Sequence, residues 1–179
     1  MSKYRDKRKI ELSAIRSWIA DASSVLDLGC GRGLLLEELM RTKRIYAVGV
    51  DLDFDKITRA IRRGVNVIHG DILKTVNSFA DKSFDWVVCS RTLPELGNPD
   101  AVIKEALRVG SRVLNEVYPE EWSSAVPTND ISVKSFEKYC ADNGIVIEKR
   151  HFLKGNWQSP CKFMPNLFAG YAIFEISKK

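Results

Sequence analysis

Apolar residues along the chain follow two different spacings. Short segments rich in apolar residues predict strands at residues 24–28, 45–50, 65–68, 84–90 and 112–117, and the nearly continuous apolar run at 84–90 indicates a strand buried on both faces of the sheet. Helical spacing predicts helices over residues 10–20, 33–42, 53–63, 98–109 and 132–143, and a short helix or turn is expected around residues 72–79. Two more strands are expected at 145–152 and 171–176, without a helix between them. This order predicts an α/β fold with helices on both faces of the sheet and an antiparallel edge.

The first predicted strand leads directly into a glycine-rich turn that carries Gly29, Gly31 and Gly33. Glycines let a backbone approach a ligand closely, and the start of the following helix offers N–H groups. A turn of this kind is weak evidence alone, because many glycine-rich turns are purely structural. It gains weight only if other elements of the sheet converge on it.

Two such elements follow the next predicted strands. Asp51 ends the second strand, where a carboxylate can accept hydrogen bonds from a ribose diol. Gly70 and Asp71 follow the third strand, where the carboxylate can accept from an exocyclic amine while Ile72 contacts an adenine face. Because the carboxyl ends of parallel strands meet at one edge, the three elements predict a site for a nucleoside-containing ligand. The candidate binding residues are Asp27, Gly29, Cys30, Gly31, Asp51, Leu52, Gly70, Asp71, Ile72 and Ser90.

The details of the turn argue against a dinucleotide. A dinucleotide fingerprint has the spacing GxGxxG, whereas this turn reads GxGxG, so the third glycine of that fingerprint is missing. The first strand also carries Asp27 just before the turn. An acidic residue there suits a cationic, amine-bearing ligand better than a pyrophosphate.

Four segments together resemble the successive motifs of the class I S-adenosylmethionine-dependent methyltransferase fold: Val25 to Gly33, Gly49 to Asp51, Gly70-Asp71, and Phe84 to Val87. The resemblance covers nearly the whole chain. It implies a Rossmann-like, seven-stranded sheet of order 3-2-1-4-5-7-6 with strand 7 antiparallel. It also implies S-adenosylmethionine or S-adenosylhomocysteine as the cofactor, with the glycine turn under the methionine moiety, Asp51 on the ribose and Asp71 at the adenine amine.

A narrower resemblance is to the methionine biosynthesis protein MetW family. It is carried by the segments Arg63 to Val65, Ser90 to Leu93, Asn98 to Asp100, Glu105 to Gly110 and Pro165 to Ala169. The resemblance implies a partnership with homoserine O-acyltransferase in methionine synthesis. The chain departs from the family pattern at Arg32, where an acidic residue is usual, and in a shorter segment between Asn115 and Val133.

Composition limits the remaining classes of function. A length of 179 residues suits one domain over residues 10–179, preceded by a basic tail over residues 1–9 that contributes much of the net charge of +5. No apolar run approaches the roughly 20 residues of a membrane span, so we expect no membrane binding. The cysteines, expected to be reduced and mostly buried, favour a cytoplasmic protein, and the moderate charge argues only weakly for nucleic-acid binding. The four cysteines and two histidines lack metal-site spacing, so no metal is expected.

The sequence shows no catalytic constellation, and the catalytic residues stay unknown. Arg91 and Glu95, after the fourth predicted strand, are candidates for contact with an acceptor or a partner, or for an ion pair at the rim. Trp122, Trp157 and Phe163 lie in irregular segments, where they would form an acceptor lid, a protein-binding patch or a small core under a loop. Methyl transfer depends largely on positioning, so a missing base does not exclude an enzyme.

Three functions therefore stay open. The first is a methyltransferase that acts on a small molecule. The second is a non-catalytic partner subunit of homoserine O-acyltransferase that senses S-adenosylmethionine or S-adenosylhomocysteine. The third, an RNA or protein methyltransferase that uses the basic N-terminus, is disfavoured because a chain of 179 residues has no room for an added RNA-binding domain.

Overall fold

A computed structural model describes residues 9–93, 96–117, 133–154, 161 and 169–179 of the chain. The helices within these ranges are α1 (Lys9–Trp18), α2 (Leu34–Thr42), α3 (Phe54–Ile61), α4 (Ile72–Val76), α5 (Pro99–Val109) and α6 (Val133–Asp142). The strands are β1 (Ser24–Leu28), β2 (Tyr46–Asp51), β3 (Asn66–His69), β4 (Phe84–Cys89), β5 (Gly110–Val117), β6 (Ile145–Lys154) and β7 (Ala169–Lys178). Most bounds fall within two residues of the prediction; α4 lies within the segment predicted as a short helix or turn, and β6 and β7 are longer than predicted.

The strands form one seven-stranded sheet of order β3-β2-β1-β4-β5-β7-β6, which confirms the predicted order. Strand β7 pairs antiparallel with both β5 and β6, and the other pairs are parallel. Strand order reverses between β1 and β4, because β2 and β3 lie on one side of β1 while β4 and β5 lie on the other. The carboxyl ends of β1 and β4 therefore flank the switch point at which such sheets bind ligands.

Two hydrophobic cores cover the two faces of the sheet, as alternating inward positions on buried strands require. On one face, α1 and α2 bury Ile15, Ile19, Leu36 and Leu39 against the sheet. On the other face, α5 and α6 bury their apolar sides, which include Ile103 and Phe136. Within the described ranges, no helix is long and apolar enough to cross a membrane.

A buried carboxylate ties the antiparallel edge to the parallel part of the sheet. Glu175 of β7 is 0% exposed, accepts a hydrogen bond from Nζ of Lys149 at 2.7 Å, and also pairs with the guanidinium of Arg112. The two cations lie over aromatic rings, with Arg112 5.5 Å from the Trp86 ring centroid and Lys149 5.7 Å from that of Trp18. These cation–π contacts link α1, β4, β5, β6 and β7 on one face of the sheet.

Candidate functional site

The glycine turn joins β1 to α2 at the switch point. Gly29, Gly31 and Gly33 have φ values of 81°, 55° and 69°, in the left-handed region that side chains other than glycine disfavour. A Cβ on Gly29 would lie 2.2 Å from Oγ1 of Thr92, and a Cβ on Gly33 would lie 2.9 Å from Cβ of Ala60. Gly31 differs, because no atom lies within 4 Å of the position that its Cβ would take. The turn is thus packed at both ends and open at Gly31.

Most N–H groups of this turn donate within the protein. Those of Gly29 and Cys30 both donate to the carbonyl oxygen of Val50, at 2.8 and 3.0 Å, and that of Gly33 donates to the carbonyl of Cys30 at 3.0 Å. The N–H of Gly31 donates to Oδ2 of Asp51 at 2.7 Å. These contacts leave the turn itself poorly suited to cradle a phosphate, which needs such donors. The N–H groups that the sequence predicts for a ligand are those at the start of the following helix, α2.

Asp51 is the central residue of the site. Its carboxylate is 8% exposed; Oδ2 accepts from Gly31, and Oδ1 accepts from the N–H of Asp53 at 2.9 Å. An ionised carboxylate has about four lone-pair sites, so roughly two stay available for ligand hydroxyls. Asp51 therefore holds the turn in place and can also bind a diol.

A second buried carboxylate lies at the base of the turn. Asp27 of β1 is 2% exposed. Burial raises the pKa of the Cys30 thiol above its ordinary value, and the negative charges of Asp27 and Asp51 raise it further. The thiol stays protonated and is packed against Gly49, where a Cβ would lie only 2.5 Å from Sγ. Two carboxylates thus make the turn electronegative, which favours a cationic ligand.

The third predicted element lies beside Asp51. The N–H of Gly70 donates to the carbonyl of Asp51 at 3.1 Å, which sets the end of β3 next to the end of β2. Asp71 is exposed and caps α4, where its Oδ1 accepts from the N–H of Lys74 at 3.0 Å. Leu52 is 67% exposed, whereas Ile72 is buried. The structure thus places the predicted ribose and adenine contacts side by side.

The segment after β4 contacts the turn through Thr92, a residue that the sequence analysis missed. Thr92 is buried, and its hydroxyl lies 2.8 Å from the carbonyl oxygen of Leu28 and 3.1 Å from that of Ser90. Arg91 has a φ of 60°, which is unusual for a residue with a side chain and typical of backbone strain at functional sites. The hydroxyl of Thr92 therefore joins the segment that begins at Ser90 to the end of β1.

Further residues either have structural roles or lie outside the described ranges. Cys89 is buried, and burial raises the pKa of its thiol, so it is an inert core residue. Asp53 caps α3 by accepting from the N–H of Lys56 at 3.0 Å, while its own N–H donates to Asp51. Glu95, Trp122, Trp157, Phe163 and most of the basic tail lie outside the described residues. Among the described residues, no group of three or more His, Cys, Asp or Glu side chains can hold a metal ion.

Solved structures with the same fold define the class of protein. A Pyrococcus horikoshii protein aligns with a TM-score of 0.75 at 19% identity and covers 100% of this chain and 92% of its own. An S-adenosylmethionine-dependent methyltransferase from Archaeoglobus fulgidus has a TM-score of 0.72 at 20% identity and covers 98% and 94%. A methyltransferase from Thiobacillus denitrificans, solved with S-adenosyl-L-homocysteine, has a TM-score of 0.70 at 16% identity and covers 100% and 99%. The chain has the class I methyltransferase fold.

Sequence comparison identifies the family within that class. The family model described as methionine biosynthesis protein MetW matches residues 9–117, so the chain belongs to the MetW family. A bifunctional methionine biosynthesis protein MetXA/MetW from Rhodopirellula baltica is 31% identical over 113 residues, which are 59% of this chain and 18% of the relative. An uncharacterised methyltransferase from Schizosaccharomyces pombe is 36% identical over 77 residues, 42% of this chain and 29% of the relative. The matches thus span less than a third of either relative.

Proposed function

We propose that the chain binds S-adenosylmethionine at the carboxyl ends of β1, β2 and β3 and transfers its methyl group to a small molecule in methionine biosynthesis. The observation that carries the proposal is the hydrogen bond from Gly31 to Asp51, which joins the open part of the glycine turn to the carboxylate at the tip of β2. One contact thereby orders both the surface under the methionine moiety and the group that receives the ribose. The site is preorganised, which lowers the entropic cost of binding.

The charges of the site fit the charges of this cofactor. S-adenosylmethionine carries an ammonium group and a sulfonium centre, and the turn is flanked by the carboxylates of Asp27 and Asp51. A dinucleotide would instead bring a pyrophosphate to a turn whose N–H groups at residues 29, 30, 31 and 33 already donate within the protein. The same features therefore favour the cationic cofactor and disfavour the dinucleotide.

The residues around the turn have separate roles in this proposal. Asp51 accepts from the ribose hydroxyls, Asp71 accepts from the adenine amine with its free oxygen, and Leu52 and Ile72 contact the adenine faces. Asp27 interacts with the ammonium group. When bound, the cofactor supplies an electrophilic methyl group, and the protein positions the acceptor in line with it. Ser90 and Thr92 keep the segment after β4 beside the turn and so define the edge of the acceptor space.

Calorimetric titration of the wild-type protein with S-adenosylhomocysteine tests the cofactor assignment. We expect saturable binding of one molecule per chain, and no binding of NAD under the same conditions. The control ligand shares the adenosine part but carries a pyrophosphate. Binding of NAD with equal or higher affinity would overturn the proposal.

A second candidate function has its own supporting observation. The Rhodopirellula baltica relative is named as both MetXA and MetW in one chain, which indicates that the two activities work side by side in that protein. The family resemblance implies that homoserine O-acyltransferase is a partner of MetW proteins. On this alternative, the chain is a partner subunit of that enzyme that senses S-adenosylmethionine or S-adenosylhomocysteine without transferring a methyl group.

Co-purification separates the two candidates. If the chain is a sensing subunit, tagged protein should retain homoserine O-acyltransferase from the same organism, and S-adenosylhomocysteine should change the acyltransferase rate. Asp51→Ala should shift the ligand effect to roughly 10- to 150-fold higher S-adenosylhomocysteine concentrations while the two proteins still associate. If the proteins never associate and the acyltransferase rate is unaffected, the alternative fails and the methyltransferase proposal stands alone.

A further inference from the structure

Asn115 is an unsatisfied polar residue in the core. Its side chain is 0% exposed, and neither Oδ1 nor Nδ2 has a hydrogen-bond partner among the residues that the structure describes. A buried amide without partners is costly, because it has lost its hydrogen bonds to water and gained none in return. Buried positions on the inner strands of a sheet are usually apolar, whereas Asn115 is a fully buried polar residue of β5. Natural proteins retain such groups mainly where function requires them.

Asn115 lies near the carboxyl ends of β4 and β5, at the edge where sheets of this kind bind ligands. It pairs in register with Cys89, the last residue of β4, and with Phe174 of β7, both of which are buried. The segment from Ser90 to Thr92, with the left-handed backbone of Arg91, begins immediately after Cys89. Asn115 thus lies two strands from β1, on the β4–β5 side of the switch point, whereas the proposed cofactor residues cluster on the β2–β3 side.

We propose that Asn115 is the recognition group for the methyl acceptor. Acceptor binding would give the amide the hydrogen bonds that the free protein does not supply. The assignment of this ligand as an acceptor rests on the proposed methyltransferase function, but the presence of the site does not.

The surroundings of the amide define the chemical class of the ligand. Asn115 presents one acceptor oxygen and a pair of donor hydrogens, so the matching group both donates and accepts. Its neighbours in register are apolar, and a charge placed between Cys89 and Phe174 would lose its hydration. The ligand is therefore a small neutral molecule. It carries a primary amide, a lactam or another group in which a hydrogen-bond donor lies next to an acceptor.

NMR of the ¹⁵N-labelled wild-type protein tests this directly. Propionamide is the probe, and 2-butanone, which has the same shape but no N–H donor, is the matched control. We expect the side-chain NH₂ signals of Asn115 to shift saturably with propionamide and much less with 2-butanone. If the Asn115 signals do not move at propionamide concentrations up to its solubility limit, the inference is wrong.

A pair of variants gives a second, independent measurement. Asn115→Leu removes the unsatisfied amide, so the melting temperature of the ligand-free protein should rise by about 2–8 °C. Asn143→Leu is the matched control, because Nδ2 of Asn143 already donates to the carbonyl of Tyr139 at 2.9 Å, and its replacement should not raise the melting temperature. A folded Asn115→Leu protein with an unchanged or lower melting temperature would show that the amide is satisfied, for example by a buried water. If this variant does not fold, the NMR experiment alone decides.

The two proposals fail separately. Affinity for S-adenosylhomocysteine should be the same within about twofold in Asn115→Leu and the wild type, since β4 separates the strand of Asn115 from β1, β2 and β3. If the wild type binds S-adenosylhomocysteine but Asn115 does not respond to propionamide, only the acceptor site is refuted. If Asn115 responds but S-adenosylhomocysteine does not bind, the amide site stands and the methyltransferase proposal fails.

Discussion

Gly29→Ala is expected to lower the free energy of unfolding by about 2–5 kcal/mol. The added Cβ would lie 2.2 Å from Oγ1, 2.5 Å from Cγ2 and 2.9 Å from Cβ of Thr92, and the backbone φ of 81° already disfavours a side chain. Thr92 cannot move away cheaply, because it is buried and its hydroxyl bonds the carbonyl of Leu28. Domains of this size are stable by only about 5–15 kcal/mol, so equilibrium denaturation should detect the loss easily.

Gly31→Ala is the matched control for that loss. Gly31 has a comparable positive φ of 55°, but no atom lies within 4 Å of its Cβ position, so only the backbone strain applies, at about 1 kcal/mol. Thr92→Ala should restore part of the stability lost in Gly29→Ala, because it removes the two nearest clashing atoms; the double-mutant cycle measures that coupling. Equal losses for Gly29→Ala and Gly31→Ala, without coupling to Thr92, would contradict the packing of the turn described above.

Asp51→Ala is expected to weaken S-adenosylhomocysteine binding by about 1.5–3 kcal/mol, or roughly 10- to 150-fold. The substitution removes the acceptor for the ribose hydroxyls and also the contact that fixes the N–H of Gly31 at 2.7 Å. Asp51→Asn keeps one acceptor oxygen and the shape of the side chain, so its loss should be smaller. Calorimetric titration of the three proteins gives the affinities.

Asp53→Ala is the control for this series. Asp53 lies two residues further along the chain, is exposed and caps α3, and hydrogen bonding to the N–H of Lys56 keeps the pKa of its carboxyl below the ordinary value. Its loss should cost about 1 kcal/mol of stability and leave the ligand affinity unchanged. If Asp53→Ala weakens binding as much as Asp51→Ala, the effect comes from disorder of the segment, and Asp51 has no special role.

Much of the fold could be predicted from the sequence because local patterns and global topology agree. Continuous apolar runs such as Phe84–Cys89 identify buried strands, and the resemblance to class I methyltransferases supplied the strand order. For residues 72–79 the sequence left a short helix and a turn open, because the apolar positions continue to Phe79; the helix α4 ends at Val76. Phe79 instead packs edge-to-face on Phe84 at 5.1 Å, so its apolar character serves tertiary packing.

The sequence predicts which residues of the site lie near one another, but it does not predict the hydrogen bonds between them. The positions of Gly31, Asp51 and Asp71 follow from strand ends, which the pattern reveals. The hydrogen bonds do not, because they depend on register: Leu28 pairs with Val50, and this alignment puts the turn within reach of the Val50 carbonyl and of Asp51. Thr92 was missed for the same reason, since its contact with Leu28 spans 64 residues of sequence.

In the sequence, Asn115 is a polar residue within a predicted strand, and this pattern has no single interpretation without the structure. A polar residue inside an apolar run indicates either an exposed position or a function, and spacing alone cannot distinguish them. Its complete burial, together with the lack of hydrogen-bond partners within the described ranges, excludes the exposed position. Burial is a property of the assembled layers, so it becomes visible only when β5 is placed between β4 and β7.

The most direct test of the account is a crystal structure of the wild-type protein with S-adenosylhomocysteine. We predict that the ribose hydroxyls lie within hydrogen-bond distance of Asp51, the adenine amine lies at Asp71, and the methionine moiety lies over the open side of Gly31. The sulfur should point toward the edge shared by Ser90 and Asn115. A ligand bound elsewhere on the protein, or bound at this edge without contact to Asp51, would contradict the account.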